Sequence, residues 1–319
     1  MSRPQVFIDG HAGTTGLRIR RWLADREDLV LATLDETQRK SEAARRKGIA
    51  EADLAILCLP DEAAREAARW AAESGTRVLD ASSGHRVAEG WVYGLPELAP
   101  PQRDLIRGAE RVSNPGCYPS GFVLLVRPLV DAGLLPADAP LSIHALSGYS
   151  GGGKELIARW ESPETKLLDH AYEAPYALER IHKHIPEMQR YARLEQAPQF
   201  VPAVGPFACG MRVEVPIHAS LLATETTGEA AWEALAERYR GEPFVEVAPF
   251  SGLDPVDEWT LDPTALNETN GLRLRVHPNA AGHLLLVALL DNLGKGASGV
   301  AIQSLNLMLG LGEETGLPR

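Results

Sequence analysis

The residues best suited to covalent chemistry lie in Ser113-Asn114-Pro115-Gly116-Cys117-Tyr118-Pro119-Ser120-Gly121. Arg111-Val112 before them reads as the end of a strand, and the apolar run 122–130 after them is long enough for a helix. Pro115 and Gly116 make the turn. Pro119 falls in the first helical turn, where a missing N–H costs nothing. Cys117 is therefore expected at a helix N-terminus, where the positive dipole end favours a thiolate. Main-chain N–H groups there, with Asn114 nearby, would stabilise an oxyanion. An isolated cysteine is more often a small core residue, but the Pro, Gly, Asn and Ser around this one favour a reactive thiol.

Acid/base chemistry points to Ile181-His182-Lys183-His184-Ile185-Pro186-Glu187-Met188. Imidazole titrates near neutrality. Two histidines two apart point to opposite faces of an extended segment, so one is expected to meet Cys117 while the other packs. Which does which stays open, as does the plainer reading of two surface histidines. Glu187 is expected to hydrogen-bond one imidazole and fix its tautomer. No third ligand stands at a telling spacing, so no metal site is expected.

Nucleotide chemistry points to Gly10-His11-Ala12-Gly13-Thr14-Thr15-Gly16, set between a strand at Gln5–Asp9 and helical spacing over Leu17–Leu23. The spacing is G-x-x-G-x-x-G rather than the commoner G-x-G-x-x-G. Its glycines let the backbone approach a pyrophosphate at the helix N-terminus, and a first strand–turn–helix is the right context for a dinucleotide. A second strand over 29–34 ends in Asp35-Glu36, the acid usual for the NAD ribose, whereas Arg39 and Lys40 suit the 2′-phosphate of NADP. The residues leave that choice open. A second glycine-rich loop, Ser147-Gly148-Tyr149-Ser150-Gly151-Gly152-Gly153-Lys154, lacks the spacing of a triphosphate loop.

Stepping outward, strands at 54–59, 77–81 and 111–112 alternate with helical stretches at 36–52 and 62–73. That alternation predicts right-handed crossovers and a parallel α/β sheet. Cys58, in the continuous apolar run of a central strand, reads as core. The strand at 77–81 runs into Ser82-Ser83-Gly84-His85-Arg86. Polar residues there face the ligand crevice, and Arg86 is the side chain to aim at an anion. Beyond residue 140 the chain becomes strand-rich, with strands at 141–146, 200–204, 211–217, 244–247, 272–277 and 284–290, a helix at 230–239 and a last helix at 300–309.

A net charge of −11 argues against nucleic acid, which demands a basic footprint. No apolar run is long enough to span a bilayer. Three cysteines form neither a disulfide framework nor a zinc spacing, which fits a reducing cytoplasm.

Six stretches run in order along nearly the whole chain: Ile8–Gly16, Tyr93–Glu97, Ser113–Gly121, Ser147–Lys154, His182–Glu187 and Asp291–Gly299. Together they resemble the N-acetyl-gamma-glutamyl-phosphate reductase family in its shorter form. The resemblance implies a Rossmann-type parallel-sheet domain over 1–116, completed by about 293–319, and an α+β catalytic and oligomerisation domain over 117–292. It implies that the last helix returns to the Rossmann domain. It implies NADPH-dependent reduction of N-acetyl-glutamyl 5-phosphate to the 5-semialdehyde in arginine biosynthesis, through a thioester on Cys117 and a proton from the His182/His184 pair. Gly10, Gly13, Thr14, Thr15, Gly16, Ser147, Gly148, Ser150 and Asn292 then fall to the cofactor, and Arg86 and Lys154 to the acyl phosphate. A cytoplasmic homo-oligomer, dimer or tetramer, is the family expectation. Asp35-Glu36 departs from a simple NADP rule. The same chemistry on a carrier-linked glutamyl or aminoadipyl phosphate, or on aspartyl phosphate, is the alternative. A carrier would favour a basic rim that this acidic chain does not advertise. A dinucleotide-binding regulator without catalysis is disfavoured by the intact Cys117 and histidine pair.

Overall fold

The computed structural model describes residues 3–170, 173–179 and 181–319. They form two compact units, one running up to Pro115 and including Ala297–Leu317, the other Gly116–Gly296 with Pro318–Arg319.

The first unit alternates as its pattern predicts: β1 (Gln5–Asp9), α1 (Thr14–Leu23), β2 (Val30–Ala32), α2 (Glu42–Ala50), β3 (Leu54–Leu57), α3 (Asp61–Ser74), β4 (Arg77–Asp80), β5 (Val92–Tyr93), α4 (Gln102–Gly108) and β6 (Arg111–Ser113). All pairings are parallel, in the order β2-β1-β3-β4-β6-β5. The chain reverses direction across the sheet between β1 and β3, so the loop after β1 opens at the switch point where such sheets bind ligands. Val6, Ile8, Leu54, Ile56 and Leu79 build the core on one side of the sheet and Phe7, Ala55, Leu57 and Val78 on the other. Two elements are shorter than their patterns. The acidic end of the second strand curls into a turn, because Asp35 Oδ1 accepts from the N–H groups of Thr37 and Gln38 at 2.9 Å each. The following helix then waits for its N-cap, Ser41, whose hydroxyl accepts from Ala44 N.

The second unit holds α5 (Cys117–Asp131), β7 (Ser142–Gly148), α6 (Gly153–Trp160), β8 (Ala174–Pro175), α7 (Ile185–Ala192), β9 (Gln199–Gly205), β10 (Met211–Ile217), α8 (Gly228–Arg238), β11 (Val245–Val247), β12 (Leu272–Pro278) and β13 (Leu284–Leu290). Its mixed sheet runs β11-β12-β13-β10-β7-β9-β8. The apolar helix α5 lies on this sheet so closely that a Cβ at Gly121 would sit 3.0 Å from Val213 Cγ2 and 3.2 Å from Ala288 Cβ. The last helix, α9 (Gly299–Met308), belongs to the first unit, packed on α1, α4 and β4. The single π turn Gly294–Ser298 before it straddles the division.

Candidate active site

Cys117 is the first residue of α5. Its N-cap is Gly116, which offers no side-chain oxygen, and no acid lies in the first turn. The dipole therefore meets the thiol with no carboxylate from the helix's own first turn beside it. Pro119 has no N–H, so the first-turn donors without an intrahelical acceptor are those of Cys117 and Tyr118. The turn is tied from a distance: Gly116 N–H donates to Glu187 Oε2 at 3.0 Å. Glu187, on α7, is 1% exposed. Its bond to Gly116 anchors the start of the cysteine helix from α7. Gly296 closes over the nucleophile, and a Cβ there would lie 2.8 Å from Cys117 Cβ. Cys58, by contrast, is inert. Burial, with the charges of Asp80 and Asp9, pushes its thiol up to about 12.

The histidine pair does not splay as an extended segment would. His184 is the N-cap of α7 with φ −85° and ψ −15°, in the helical region. That turn brings the two rings to 4.7 Å between centroids. Both lie against Tyr118, at 6.0 Å for His182 and 5.7 Å for His184, and both are buried. Their pairing also sets a tautomer. His184 N–H donates to His182 Nδ1 at 3.2 Å, so a neutral His182 carries its proton on Nε2. Tyr176 and Phe200 complete the wall, the first by a 3.1 Å bond from its hydroxyl to that of Tyr118 and the second by edge contacts to Tyr118 and His182. Burial, Tyr176 and the neighbouring Cys117 hold the Tyr118 hydroxyl well above the ordinary range, so it stays protonated. Sequence spacing gives no signal for Tyr176 or Phe200, which arrive from separate strand segments.

The second glycine-rich loop is held by Asn292. The Asn292 amide accepts from Gly210 N–H at 2.8 Å and donates to Ser150 Oγ at 3.2 Å. Ser147, Ser150 and Asn292 are all buried, and a Cβ on Gly148 would meet Ala208 O at 2.4 Å. Asn292 thus uses both ends of its amide in holding the loop. Lys154, on the first turn of α6, is exposed.

In the first unit, Gly10 has φ +88°, and a Cβ there would meet Cys58 O at 2.2 Å. A Cβ on Gly16 would collide with Gly10 O at 2.7 Å, whereas one on Gly13 would find nothing nearer than 3.7 Å. Two glycines therefore serve packing, and Gly13 leaves room at the N-terminus of α1, which starts at Thr14. That terminus has neither a side-chain cap nor an acid in its first turn. An open, uncapped helix start of this kind fits a pyrophosphate. Asp35 spends its carboxylate on its own turn, accepting also from Thr37 Oγ1 at 2.6 Å. These bonds hold its carboxyl below the usual range. Arg39, exposed, pairs with Glu36 at 3.0 Å, and Lys40 is exposed beside it. Arg86 is buried, not a surface arginine, and its Nε–H donates to Asn114 O at 3.1 Å. Asn114 Nδ2 donates to Ala297 O at 2.9 Å, so its amide is partly used in holding the strand end. Among the described residues no group of His, Cys, Asp and Glu is arranged to hold a metal.

Two family models match the chain: the semialdehyde dehydrogenase NAD binding domain over residues 23–106 and the semialdehyde dehydrogenase dimerisation domain over residues 117–292. An N-acetyl-gamma-glutamyl-phosphate reductase 2 of Nostoc sp. is 48% identical over 99% of this chain and 100% of its own length. An N-acetyl-gamma-glutamyl-phosphate reductase of Burkholderia ambifaria is 50% identical over 98% of each. The chain belongs to the N-acetyl-gamma-glutamyl-phosphate reductase family. Among solved structures, an aspartate semialdehyde dehydrogenase II of Vibrio cholerae superposes with a TM-score of 0.74 over 97% of this chain and 99% of that one, at 17% identity. At that identity the likeness is one of fold, and the fold is the parallel-sheet domain plus mixed-sheet domain described above. Membership makes the chain a nicotinamide-dinucleotide oxidoreductase, and the uncapped start of α1 is the feature of this chain that fits the dinucleotide. Among the described residues no helix is long and apolar enough to cross a membrane.

Proposed function

We propose that this chain reduces N-acetyl-gamma-glutamyl 5-phosphate to the 5-semialdehyde with release of phosphate, as a step of arginine biosynthesis, and prefers NADPH. The observation that carries the chemistry is Cys117 as the first residue of a helix whose next residue, Tyr118, touches both histidines. The thiolate attacks the acyl carbon, the C–O bond to phosphate breaks, and a thioester forms. Main-chain N–H groups of the first turn of α5 hold the oxyanion. A bound nicotinamide supplies the hydride. His182, with its proton on Nε2, protonates the resulting oxyanion and takes the proton back as the C–S bond breaks and the aldehyde leaves. His184 fixes His182 through its main-chain N–H, and Glu187 fixes the cysteine turn. Arg86 is assigned to the phosphate. Gly13, Thr14 and Thr15 are assigned to the pyrophosphate, with Gly10 and Gly16 shaping their turn by close packing, the Ser147–Ser150 loop to the nicotinamide end, and Arg39 and Lys40 to the 2′-phosphate.

A homodimer is proposed on the side of the mixed sheet opposite α5 and α8, where Glu214, Val287 and Arg275 stand in register across three strands. A reducing cytoplasm, which keeps Cys117 a thiol, goes with the assignment. The reverse reaction tests it. N-acetyl-glutamate semialdehyde, phosphate and NADP should reduce the nucleotide, with Cys117→Ser as the inactive control. Faster turnover of aspartate semialdehyde, or full activity of the serine variant, would sink it.

A further inference from the structure

A buried ring of contacts in the first unit surrounds the arginine assigned to the phosphate, and two of its members, Asp80 and His85, have no part in the chemistry above. Asp80, at the end of β4, is fully buried. Its carboxylate accepts from Ser82 N–H at 2.9 Å, Ser82 Oγ at 2.7 Å and His85 Nδ1 at 2.6 Å. A carboxylate only accepts, so His85 carries its proton on Nδ1. The His85 ring is also stacked on Trp91, 4.0 Å between centroids and 12° from parallel. Through its main chain the same Asp80 accepts from Asn114 N–H at 2.7 Å. Arg86, the residue after His85, closes the ring by donating from Nε to Asn114 O at 3.1 Å.

The next carboxylate along serves the same loop. Asp61, at the start of α3, accepts from Ser83 N–H and Ser83 Oγ at 2.9 Å each. Two buried or half-buried acids thus fix a short polar loop that carries one arginine. A loop meant only to connect β4 to β5 would have no need of an aspartate taken wholly out of water, which is costly unless several donors compensate it. The arrangement defines the direction of Arg86: His85 is locked on one face by Trp91 and at its edge by Asp80, and the guanidinium plane is set by Asn114.

We propose that Asp80 and His85 are positioning residues for the phosphate-binding arginine, tuning affinity for phosphate and acyl phosphate without touching either. The inference rests on the assignment of Arg86 to the phosphate. It predicts a selective effect. His85→Phe keeps the stack on Trp91 and deletes the bond to Asp80, whereas His85→Asn keeps a donor near the place of Nδ1. In the reverse reaction, His85→Phe should raise KM for phosphate about 10- to 100-fold, the worth of a buried hydrogen bond to a charged group. KM for NADP and kcat per folded molecule should stay within about twofold, and His85→Asn should recover phosphate KM to within about threefold. Asp80→Asn, which preserves shape but puts an amide against Nδ1, serves if His85→Phe does not fold, and should give the same rise. Unchanged phosphate KM in His85→Phe or Asp80→Asn would overturn the proposal. So would a uniform loss that tracks only the folded fraction, or failure of His85→Asn to recover affinity. Arg86→Ala run in parallel separates the two levels. If it leaves phosphate KM unchanged, the phosphate assignment itself fails and the proposal with it. If it raises KM while the His85 variant does not, the positioning role alone fails.

Discussion

Gly296→Ala is the sharpest perturbation the site offers, because it adds one methyl group directly against the nucleophile. The added Cβ would lie 2.8 Å from Cys117 Cβ, 3.2 Å from Cys117 Cα and 3.2 Å from Asp291 O. Carbon pairs settle at about 3.5–4.0 Å, so the two residues must separate by roughly 0.7–1.2 Å. The π turn cannot easily retreat. Gly296 N–H is bonded to Asp291 O at 3.0 Å, and Gly294 already presses on Thr269, where a Cβ would come within 2.0 Å of the carbonyl oxygen. The cysteine side therefore has to give, and α5 is itself wedged on Val213 and Ala288 through Gly121. A thiol displaced by about 1 Å is expected to cost on the order of 100-fold in rate. Overpacking adds about 1–3 kcal/mol of lost stability. The assay is steady-state reverse turnover with thermal melting, plus alkylation of the thiol to count reactive sites. We expect kcat down about 100-fold with KM for NADP nearly unchanged and one alkylatable Cys117 per chain. Turnover within threefold of the parent would refute the claim that Gly296 sets the position of Cys117.

Three further outcomes follow from the geometry. His182→Ala should lose about 10²–10⁴-fold in single-turnover hydride transfer, whereas His184→Ala, which keeps its main-chain N–H, should retain far more of the rate and melt lower; equal losses would contradict the tautomer argument. The Arg39→Ala/Lys40→Ala double variant should lose the preference for NADPH over NADH in kcat/KM, and an unaffected preference would move the 2′-phosphate elsewhere. His144 lies between Glu214 at 2.9 Å and Glu173 at 3.1 Å. Partial burial opposes its charge, but the bonds to Glu214 and the attraction of Glu173 outweigh it and hold the imidazole above its ordinary value. Its folded pKa being the higher one, this stabilisation is complete below about pH 6.5 and fades as the pH rises through the folded value. The denaturation gap between parent and His144→Gln should accordingly be wide at pH 6 and closed by about pH 9; a gap independent of pH would contradict it.

The local chemistry of this chain was readable along its length. Gln5–Asp9, Met211–Ile217 and Leu284–Leu290 are strands with the bounds their apolar patterns predict. Cys117 starts a helix because Pro115, Gly116 and Pro119 leave the backbone few other choices. The glycine loop after β1 sits where a βα turn in a parallel sheet must. What local rules could not supply was the company each side chain keeps. The histidine pair fails the extended-segment rule because α7 begins at His184, and a helical cap turns both rings to one side. Glu187, five residues from His182, reaches across to Gly116, and the Asn292 amide holds Gly210 and Ser150. The contact of Gly296 with Cys117, and the closing of Asp80, His85, Arg86 and Asn114 into one ring, join positions that periodicity treats independently. Backbone conformation and apolar period are properties of neighbours in the chain, whereas burial decides partners: a polar group taken out of water binds whatever donor or acceptor the packing brings to it.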